Sequence, residues 1–295
     1  KVAKANSRVL ITGSSGSGKE VSARYIHDNS NYSSGNFIAI NCSVSDQSEL
    51  DRLLFGFENN KNFIEVGALE KANGGTIFLD EVSEIPLNLQ GKILKVLVEK
   101  SLNRIGSNTK IDVDLRVISS TNVDLSEKIN KKAFREDLFH RLNVVPIKTL
   151  DLSDRVEDIP ILARYFAEKL AVTNGLTNRK FTNEALTFLQ GMSWPGNIRQ
   201  LRNVIERVLI LGNPSDEITS DELVFSEAKA RDTGKKNNLI CSDLASMSLR
   251  EAREVFERDY LVLQINRFGG NISKTAAFVE MERSALHRKL KSLGI

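Results

Sequence analysis

Short apolar runs alternate with longer amphipathic stretches over the first half of the chain. The runs RVLIT, FIAI, TIFLD, LRVISS and VVPI are rich in valine and isoleucine, as is typical of buried strands. Between them, an apolar set recurs at the spacing of one helix face: Leu89, Ile93, Val96 and Leu97. This alternation predicts an α/β unit, a parallel sheet with helices on both faces.

The pattern changes after Leu150, where the strand-like runs stop. Three helical stretches follow, DRVEDIPILARYFAEKLAVTNG, TNEALTFLQG and WPGNIRQLRNVIERVLILG, and the second begins at Thr182 as its N-cap and ends at Gly191. A polar segment of mixed charge comes next, and a last helical unit starts at Ser248. The sequence therefore predicts an α/β unit over 1–150, a helical unit over 151–212, a linker over 213–247 and a second helical unit over 248–295.

The composition is that of an ordinary globular protein, with 41% hydrophobic and 27% charged residues among 295. Its longest apolar runs are far too short to cross a bilayer, so we expect a cytoplasmic protein without a membrane partner. Cys42 and Cys241 fit neither a metal nor a disulfide pattern and are expected to be free thiols. The chain starts at Lys1 rather than at a methionine, and we interpret it as part of a longer protein with a further domain upstream.

A glycine-rich segment, GSSGSGKE, lies between the first predicted strand and a predicted helix. It has the spacing of a phosphate-binding P-loop, in which backbone N–H groups, a helix N-terminus and a lysine surround phosphate oxygens. The alternative, a glycine-rich turn with a chance lysine, explains this strand–loop–helix context less well. The predicted nucleotide-binding residues here are Gly13, Ser14, Ser15, Gly16, Ser17, Gly18, Lys19 and Glu20.

Two carboxylates, Asp80 and Glu81, end the TIFLD strand. The carboxyl ends of parallel strands meet at one edge of a sheet, so this pair is expected beside the P-loop. There Asp80 would hold Mg²⁺, and Glu81 would polarise the water that attacks ATP. The alternative is that two acidic residues after a strand are an ordinary surface feature. Their position after the P-loop, in the usual order and separation, favours a catalytic role.

These motifs, in this order, resemble the AAA+ central domain and the Fis-type DNA-binding domain of bacterial enhancer-binding proteins, the sigma-54-dependent activators. The resemblance extends over nearly the whole chain and implies an AAA+ fold with an α-helical lid, followed by an all-α helix-turn-helix domain. The family's P-loop ends in glutamate, as it does here at Glu20. In the segment FIAINCS, the resemblance implies that Asn41 senses the nucleotide and restrains Glu81. In SSTNVDL, it implies that Thr121 and Asn122 lie near the γ-phosphate.

Three arginines complete the nucleotide site that the resemblance implies. The segment FREDLFHRLNVVPI is similar to the family's arginine-finger segment, with Arg135 and Arg141 reaching into a neighbour's site, which implies a ring of subunits. Without the surrounding motif, two arginines six residues apart are typical of a solvated helix face. The segment WPGNIRQLRNVIER resembles the lid helix, in which Arg199 would contact the same phosphate.

The end of the chain is basic. Between residues 267 and 295, six lysines and arginines face two glutamates, a local excess larger than the net charge of +3 of the whole chain. In RSALHRKLKSLGI, Leu286, Leu290 and Leu293 share one helix face, opposite a set of hydrogen-bond donors. The predicted DNA-binding residues are Arg283, Ser284, His287, Arg288 and Lys291.

The preceding segment, NISKTAAFVEM, predicts a second short helix, so the pair is typical of a helix-turn-helix. The alternative is a charged surface helix. As a dimer, the unit would present two such helices about 34 Å apart, which favours palindromic double-stranded DNA.

The segment FGFENNKNFIEVGALEKA distinguishes a regulator that remodels sigma-54 RNA polymerase from one that does not. Family members that remodel sigma-54 RNA polymerase carry GAFTGA at this place; here that signature is absent, the loop is several residues shorter, and Phe63 has no flanking glycines. This combination resembles the NtrX subgroup of two-component response regulators, which implies an upstream receiver domain and a cognate sensor kinase.

We therefore expect a DNA-binding transcriptional regulator whose AAA+ unit uses ATP for assembly into dimers and higher oligomers. Its ATPase activity would be weak and dependent on assembly. The alternatives are an ATP-hydrolysing sigma-54 activator and an AAA+ protein that acts on another partner and uses DNA only as an anchor.

Overall fold

The computed structural model describes residues 1–44, 46–59, 63–214, 216–223, 257–258, 261, 265, 272–279 and 281–292. The chain divides into two units, Lys1–Leu223 and Val224–Ile295. Most of the predicted linker, together with Cys241, lies outside the described residues. No helix of the described part of the chain is both long and apolar enough to span a membrane.

The strands of the first unit are β1 (Val9–Thr12), β2 (Phe37–Asn41), β3 (Gly56–Glu58), β4 (Ile64–Val66), β5 (Thr76–Asp80), β6 (Ser101–Leu102), β7 (Ile111–Asp112), β8 (Arg116–Thr121) and β9 (Val145–Lys148). Its helices before residue 150 are α1 (Lys19–Asp28), α2 (Gln47–Phe55), α3 (Ala68–Lys71), α4 (Leu87–Glu99), α5 (Leu125–Asn130) and α6 (Glu136–Leu142). Short 3₁₀ turns form at Val2–Lys4 and Val82–Glu84.

A five-stranded parallel sheet of order β2-β5-β8-β1-β9 forms the centre of this unit. Alternate residues of each strand point to opposite faces, because the side-chain period of a strand is two. Val9 and Ile11 pack with Ala23 and Ile26 of α1 on one face, whereas Leu10 belongs to the larger core on the other face, which includes buried residues of α2, α4 and α6. The predicted α/β fold is confirmed, and its five strands are the five apolar runs of the sequence.

The helical lid follows a 3₁₀ turn at Leu152–Asp158 and consists of α7 (Ile159–Asn174), α8 (Asn183–Gly191) and α9 (Asn197–Leu211). The hydroxyl of Thr182 accepts a hydrogen bond from the amide of Ala185 at 3.1 Å, which confirms the predicted N-cap of α8. The three helices enclose a separate apolar core around Trp194, Leu201 and Ile205.

Two small antiparallel hairpins, β3–β4 and β6–β7, were not predicted from the sequence. They are bonded to each other, since the amide of Glu58 at the end of β3 donates at 2.9 Å to the carbonyl of Ile105, which lies in the loop between β6 and β7. Arg104 strengthens the junction by donating to the carboxylates of Glu58 at 3.0 Å and Glu70 at 2.6 Å.

The second unit contains α10 (Ile272–Phe278) and α11 (Arg283–Ser292), the two helices of the predicted helix-turn-helix. Leu261, Ala276, Leu286 and Leu290 form its buried cluster. The apolar face predicted for the last helix is therefore the buried one at Leu286 and Leu290, while Leu293 lies outside the described residues.

Candidate nucleotide site and nucleic-acid interface

The predicted P-loop joins β1 to α1 at the carboxyl edge of the sheet. Its glycines adopt left-handed conformations, with φ of 76° at Gly16 and 101° at Gly18. A Cβ atom at Gly16 would lie 2.3 Å from the carbonyl oxygen of Gly196, so a side chain has no room there. Within the described residues, the amides of Ser15, Gly16 and Gly18 donate to no protein acceptor. Such amides, next to a helix N-terminus, are suited to bind phosphate oxygens.

Lys19 supplies the positive charge of this loop. It is the first residue of α1 and only 7% exposed. Its Nζ donates to the carbonyl oxygens of Gly13 at 2.9 Å and Ser14 at 3.3 Å, and it lies 3.2 Å from Oε1 of Glu81. The lysine of the loop and the predicted catalytic carboxylate are therefore direct neighbours.

The two predicted acidic residues follow each other at the end of β5. The carboxylate of Asp80 accepts a hydrogen bond from the hydroxyl of Ser120 on the adjacent strand β8. Glu81 has a left-handed backbone, with φ 54° and ψ 55°, and its Oε2 accepts from the amide of Asn122 at 3.0 Å. The structure thus brings together Lys19, Glu81 and Asn122, which together span about one hundred residues of the sequence.

The carboxylate of Asp80 fits a magnesium site that nucleotide phosphates and water would complete. Carboxylate oxygens are ligands that Mg²⁺ prefers, and Mg²⁺ usually takes one or two from the protein, with the rest from phosphates and water. Asp80, the predicted magnesium ligand, matches that requirement. Accordingly, the described residues contain no cluster of three or more potential metal ligands. Glu20, the last residue of the motif, forms instead an exposed ion pair with Arg24 at 3.2 Å.

The predicted sensor residues lie at the same edge of the sheet. Asn41 is aligned with Asp80 on the neighbouring strand, but its side-chain oxygen accepts from the amide of Ser43 at 2.9 Å. The restraint of Glu81 expected from Asn41 is supplied here by Lys19 and the amide of Asn122. Thr121 is buried at the end of β8, and its hydroxyl bonds to the main chain of Val123.

Three residues that sequence reasoning missed hold the P-loop from the segment after β9. The hydroxyl of Ser14 donates to the carboxylate of Asp151, and that of Ser17 lies 2.8 Å from the hydroxyl of Thr149. Arg155 donates to the carbonyl oxygen of Ser17 at 2.8 Å. These partners are more than 130 residues from the loop, and the segment TLDLSDR has no spacing that would have identified them.

The first turn of α9 also contacts the P-loop. Asn197 is 2% exposed and has a left-handed φ of 52°; its Nδ2 donates to the carbonyl of Ser15 at 3.1 Å, and its Oδ1 accepts from the amide of Leu152 at 2.7 Å. Arg199, which is predicted to contact the phosphate from the lid, is exposed and donates to the hydroxyl of Ser15 at 3.0 Å. The Pro-Gly-Asn turn before α9 was the available signal for Asn197, because asparagine tolerates a positive φ.

The predicted arginine fingers lie on the surface at α6. Arg135 precedes this helix and forms two hydrogen bonds to the carboxylate of Asp137, at 3.0 and 2.6 Å. These bonds raise the pKa of Arg135 and lower the pKa of Asp137. Arg141 is exposed near the end of the same helix. Neither arginine bonds to the P-loop within the described part of the same chain.

A buried glutamine connects the finger segment to the chain that follows the acidic pair. Gln90 on α4 is fully buried; its Nε2 donates to the carbonyls of Ile85 at 2.7 Å and Ala133 at 3.2 Å. Its Oε1 accepts from the amide of Arg135 at 2.8 Å. The backbone at the finger is therefore held at a fixed position relative to the end of the Val82–Glu84 turn.

The loop that distinguishes the possible functions is the tip of the β3–β4 hairpin. The amide of Asn59 donates to the carbonyl of Phe63 at 3.1 Å, and the amide of Phe63 donates to the side chain of Asn59 at 3.2 Å. Three residues, 60–62, separate this closing pair and lie outside the described residues. The ring of Phe63 is 53% exposed.

The predicted nucleic-acid interface is the outer face of α11. Arg283, Ser284, His287 and Arg288 are all exposed, opposite buried Leu286 and Leu290. The side chain of Lys291 lies outside the described residues. A solvated helix face with two arginines, an imidazole and a hydroxyl offers donors to phosphates and base edges.

Protein families match all three parts of the chain. Residues 1–148 match the sigma-54 interaction domain, residues 153–239 an AAA+ ATPase lid domain, and residues 252–293 the Fis family of bacterial regulatory proteins.

Curated relatives and solved structures are similar over the full chain. The chain is 50% identical over 298 residues to the nitrogen assimilation regulatory protein NtrX of Azorhizobium caulinodans, covering 100% of the chain and 65% of that protein. It is 44% identical to a putative NtrX-like response regulator of Rickettsia typhi, covering 100% and 63%. The crystal structure of NtrX from Brucella abortus in complex with ATP is 47% identical with a TM-score of 0.69, covering 100% of this chain and 65% of that one.

Proposed function

Because the chain belongs to the family of bacterial regulators with a sigma-54 interaction domain, we propose that it is part of a DNA-binding transcriptional regulator of a two-component system. In this proposal the AAA+ unit binds ATP and uses it to control assembly, without remodelling sigma-54 RNA polymerase. The observation that carries the proposal is that the P-loop residues form a complete constellation, while the β3–β4 hairpin has only three residues between its closing pair, Asn59 and Phe63.

ATP binding is supported by the loop geometry and by the relative from Brucella abortus, which was crystallised with ATP. The amides of the P-loop and Lys19 would hold the β- and γ-phosphates, and Arg199 would contact them from the lid. Mg²⁺, when bound, neutralises charge on the phosphates; Asp80 would hold it and Glu81 would orient the water. Since Glu81 is bonded to Lys19, entry of a phosphate between them has to separate the pair.

A chain assembled in this way would have weak ATPase activity that depends on its neighbour. Arg135 and Arg141 would complete the site of an adjacent subunit, which requires dimers and higher oligomers. The carboxylate of Asp137 pairs with Arg135 within its own chain at 2.6 Å, so a phosphate that binds the finger has to replace this exposed ion pair.

The hairpin argues against sigma-54 remodelling. In the family, that work is done by a longer glycine-flanked loop carrying an aromatic residue. Phe63 is exposed but belongs to the closing pair, so its backbone is fixed at the base of the tip. The second candidate function, an ATP-hydrolysing sigma-54 activator, is favoured by the family match over residues 1–148.

DNA binding is the output that we assign to the second unit. Arg283, Ser284, His287, Arg288 and Lys291 would contact phosphates and bases in the major groove, and a dimer would favour a palindromic operator. The NtrX-like relatives named as response regulators support a sensor kinase as upstream partner, acting in the cytoplasm through a receiver domain.

Nucleotide binding is tested by an equilibrium titration with ATP and Mg²⁺. Lys19→Ala should abolish binding, because the buried ammonium is the full charge within the loop. Lys95→Ala, an exposed lysine on α4, is the matched control and should bind as the unchanged chain does. An equal loss of affinity in both variants, or no affinity in the unchanged chain, would contradict the assignment.

The two candidate functions are separated by an open-complex transcription assay with sigma-54 RNA polymerase. We expect no ATP-dependent open complexes, while the ATPase rate per subunit rises with protein concentration. Robust ATP-dependent activation would select the second candidate. Operator binding is measured in parallel: Arg288→Ala should weaken it and lower its salt dependence, whereas Lys95→Ala should change neither.

A further inference from the structure

A cavity of about 190 Å³ lies at the edge of the sheet opposite the P-loop. Arg8, which directly precedes β1, and Arg116, which opens β8, both line it. The P-loop and Asn122 follow the other ends of the same two strands. A six-residue strand spans about 20 Å, so this cavity, termed the rear pocket, is separate from the nucleotide site.

Arg116 is a buried cation that has no acidic partner in the part of the chain that the structure describes. It is 2% exposed, and its two terminal nitrogens donate to the carbonyl oxygens of Ala3 at 2.5 Å and Val2 at 2.9 Å. Its Nε is buried and has no hydrogen-bond partner among the described residues. Burial lowers the pKa of Arg116, but a guanidinium stays protonated at neutral pH. A buried charge is costly unless it is paired with a counter-ion.

The other polar groups of the rear pocket leave this charge uncompensated. Asp114 is the acidic residue among those that line it, and it already binds Nζ of Lys100 at 3.1 Å and the hydroxyl of Tyr32 at 3.3 Å. Asn6 donates in turn to that hydroxyl at 3.0 Å. Arg8 is half-buried, and burial is the main cause that lowers its pKa. Its guanidinium makes no hydrogen bond or ion pair with the described residues. The rear pocket is therefore lined by three cations, Arg8, Lys100 and Arg116, and by one carboxylate, that of Asp114.

We propose that the rear pocket is a binding site for a small oxyanion, with Arg8 and Arg116 as its cationic ligands. The guanidinium of Arg8 can bind a carboxylate or a phosphate through two parallel hydrogen bonds, while Arg116, whose terminal nitrogens already donate to Ala3 and Val2, adds buried positive charge. The volume is equal to that of about six water molecules, enough for inorganic phosphate or a short dicarboxylate but too small for a nucleoside triphosphate. This site is independent of the proposed ATP site.

The test uses the whole chain carrying Lys19→Ala, so that phosphate bound at the P-loop is suppressed. Inorganic phosphate and succinate are titrated separately by calorimetry at constant ionic strength. We expect saturable binding of one of them, and which one binds identifies the ligand as a phosphate or a carboxylate. If neither binds, the proposal is wrong.

Two further variants on the same background locate the site. Arg8→Gln should weaken binding about tenfold, since it removes one charge-assisted partner while leaving the buried Arg116 intact. Arg164→Gln, an exposed arginine on α7 of the lid, is the matched control and should leave the affinity unchanged. Binding that survives Arg8→Gln undiminished, or falls equally in Arg164→Gln, places the anion elsewhere and overturns the assignment. Circular dichroism of each variant verifies that it is folded.

Discussion

Replacing Asn197 with alanine should destabilise the lid and loosen its attachment to the P-loop. The side chain of Asn197 forms one hydrogen bond to the carbonyl of Ser15 and one from the amide of Leu152, at 3.1 and 2.7 Å. It is 2% exposed, so water cannot replace both partners. The residue also adopts a φ of 52°, which asparagine tolerates better than alanine.

The magnitude follows from these contacts. Leaving the buried amide of Leu152 unpaired costs about 2 kcal/mol, and the loss of the partly buried bond to Ser15 costs about 1 kcal/mol. The left-handed backbone adds about 1 kcal/mol for alanine. Asn197→Ala should therefore lower the free energy of unfolding of the lid by about 4 kcal/mol.

Two companion substitutions separate the contributions. Asn197→Gly loses the same side-chain bonds without the backbone strain, so it should cost about 3 kcal/mol. Asn197→Asp keeps an oxygen for the amide of Leu152, but it buries a carboxylate and turns its second oxygen towards the carbonyl of Ser15, so it should cost about as much as Asn197→Ala.

The assay is urea unfolding followed by tryptophan fluorescence. Trp194 is the one tryptophan of the chain and is buried in the lid core, so its signal reports the lid directly. The midpoint should fall while the dependence on urea stays constant. A cost below about 0.5 kcal/mol for Asn197→Ala, or a glycine variant more unstable than the alanine variant, would refute the reasoning.

Three other changes test separate features. Arg179→Lys should destabilise the lid by about 3 kcal/mol in the same fluorescence assay. The buried guanidinium donates to three carbonyls and to Glu222, and a lysine cannot reach all of these acceptors. A cost below about 1 kcal/mol would contradict this reasoning. Glu81→Gln should tighten ATP binding about fivefold, by freeing Lys19, while abolishing hydrolysis; unchanged affinity would show that the pair does not oppose the nucleotide. Burial, together with the nearby carboxylates of Asp80 and Glu81, raises the pKa of the Cys42 thiol to about 12. Because the pKa of this thiol in the unfolded chain is about 9, the protonated thiol stabilises the folded state below pH ~9. That stabilisation is lost as the pH rises from about 9 towards 12. Cys42→Ala should lessen the loss of stability over this range in urea titrations, and identical pH profiles would contradict the assignment.

The features that the sequence predicted correctly depend on local patterns. Five apolar runs were long and β-branched enough to identify the strands, and Thr182 was identified as a cap because its partner is three residues away. The P-loop was recognisable because all of its residues are consecutive. Likewise, Leu286 and Leu290 lie one helical turn apart, so the buried face of α11 could be derived from spacing alone.

The features that the sequence did not predict depend on distant contacts or very short elements. Strands of two or three residues, such as β3 and β6, contain too few positions for an alternation to be visible. Asp151 and Arg155 reach the P-loop across more than 130 residues, and no spacing rule connects them. Arg116 looks like any other charged residue at a strand end, and its burial is determined by the 3₁₀ turn at Val2–Lys4 packing over it.

The closing pair of the β3–β4 hairpin, Asn59 and Phe63, has a consequence for how such regulators diversify in evolution. The bonds between Asn59 and Phe63 join the two ends of the hairpin loop, and β3–β4 forms a sheet separate from the five strands that position the nucleotide site. The entropy of closing a loop grows slowly with length, by about 0.6 kcal/mol for each doubling, so residues can be gained or lost between that pair at little thermodynamic cost. During evolution, a regulator can therefore lose or gain a loop that binds a partner at this position while its ATP-binding unit stays intact. The same position is suited to experiments in which the loop of a relative is inserted between Asn59 and Phe63.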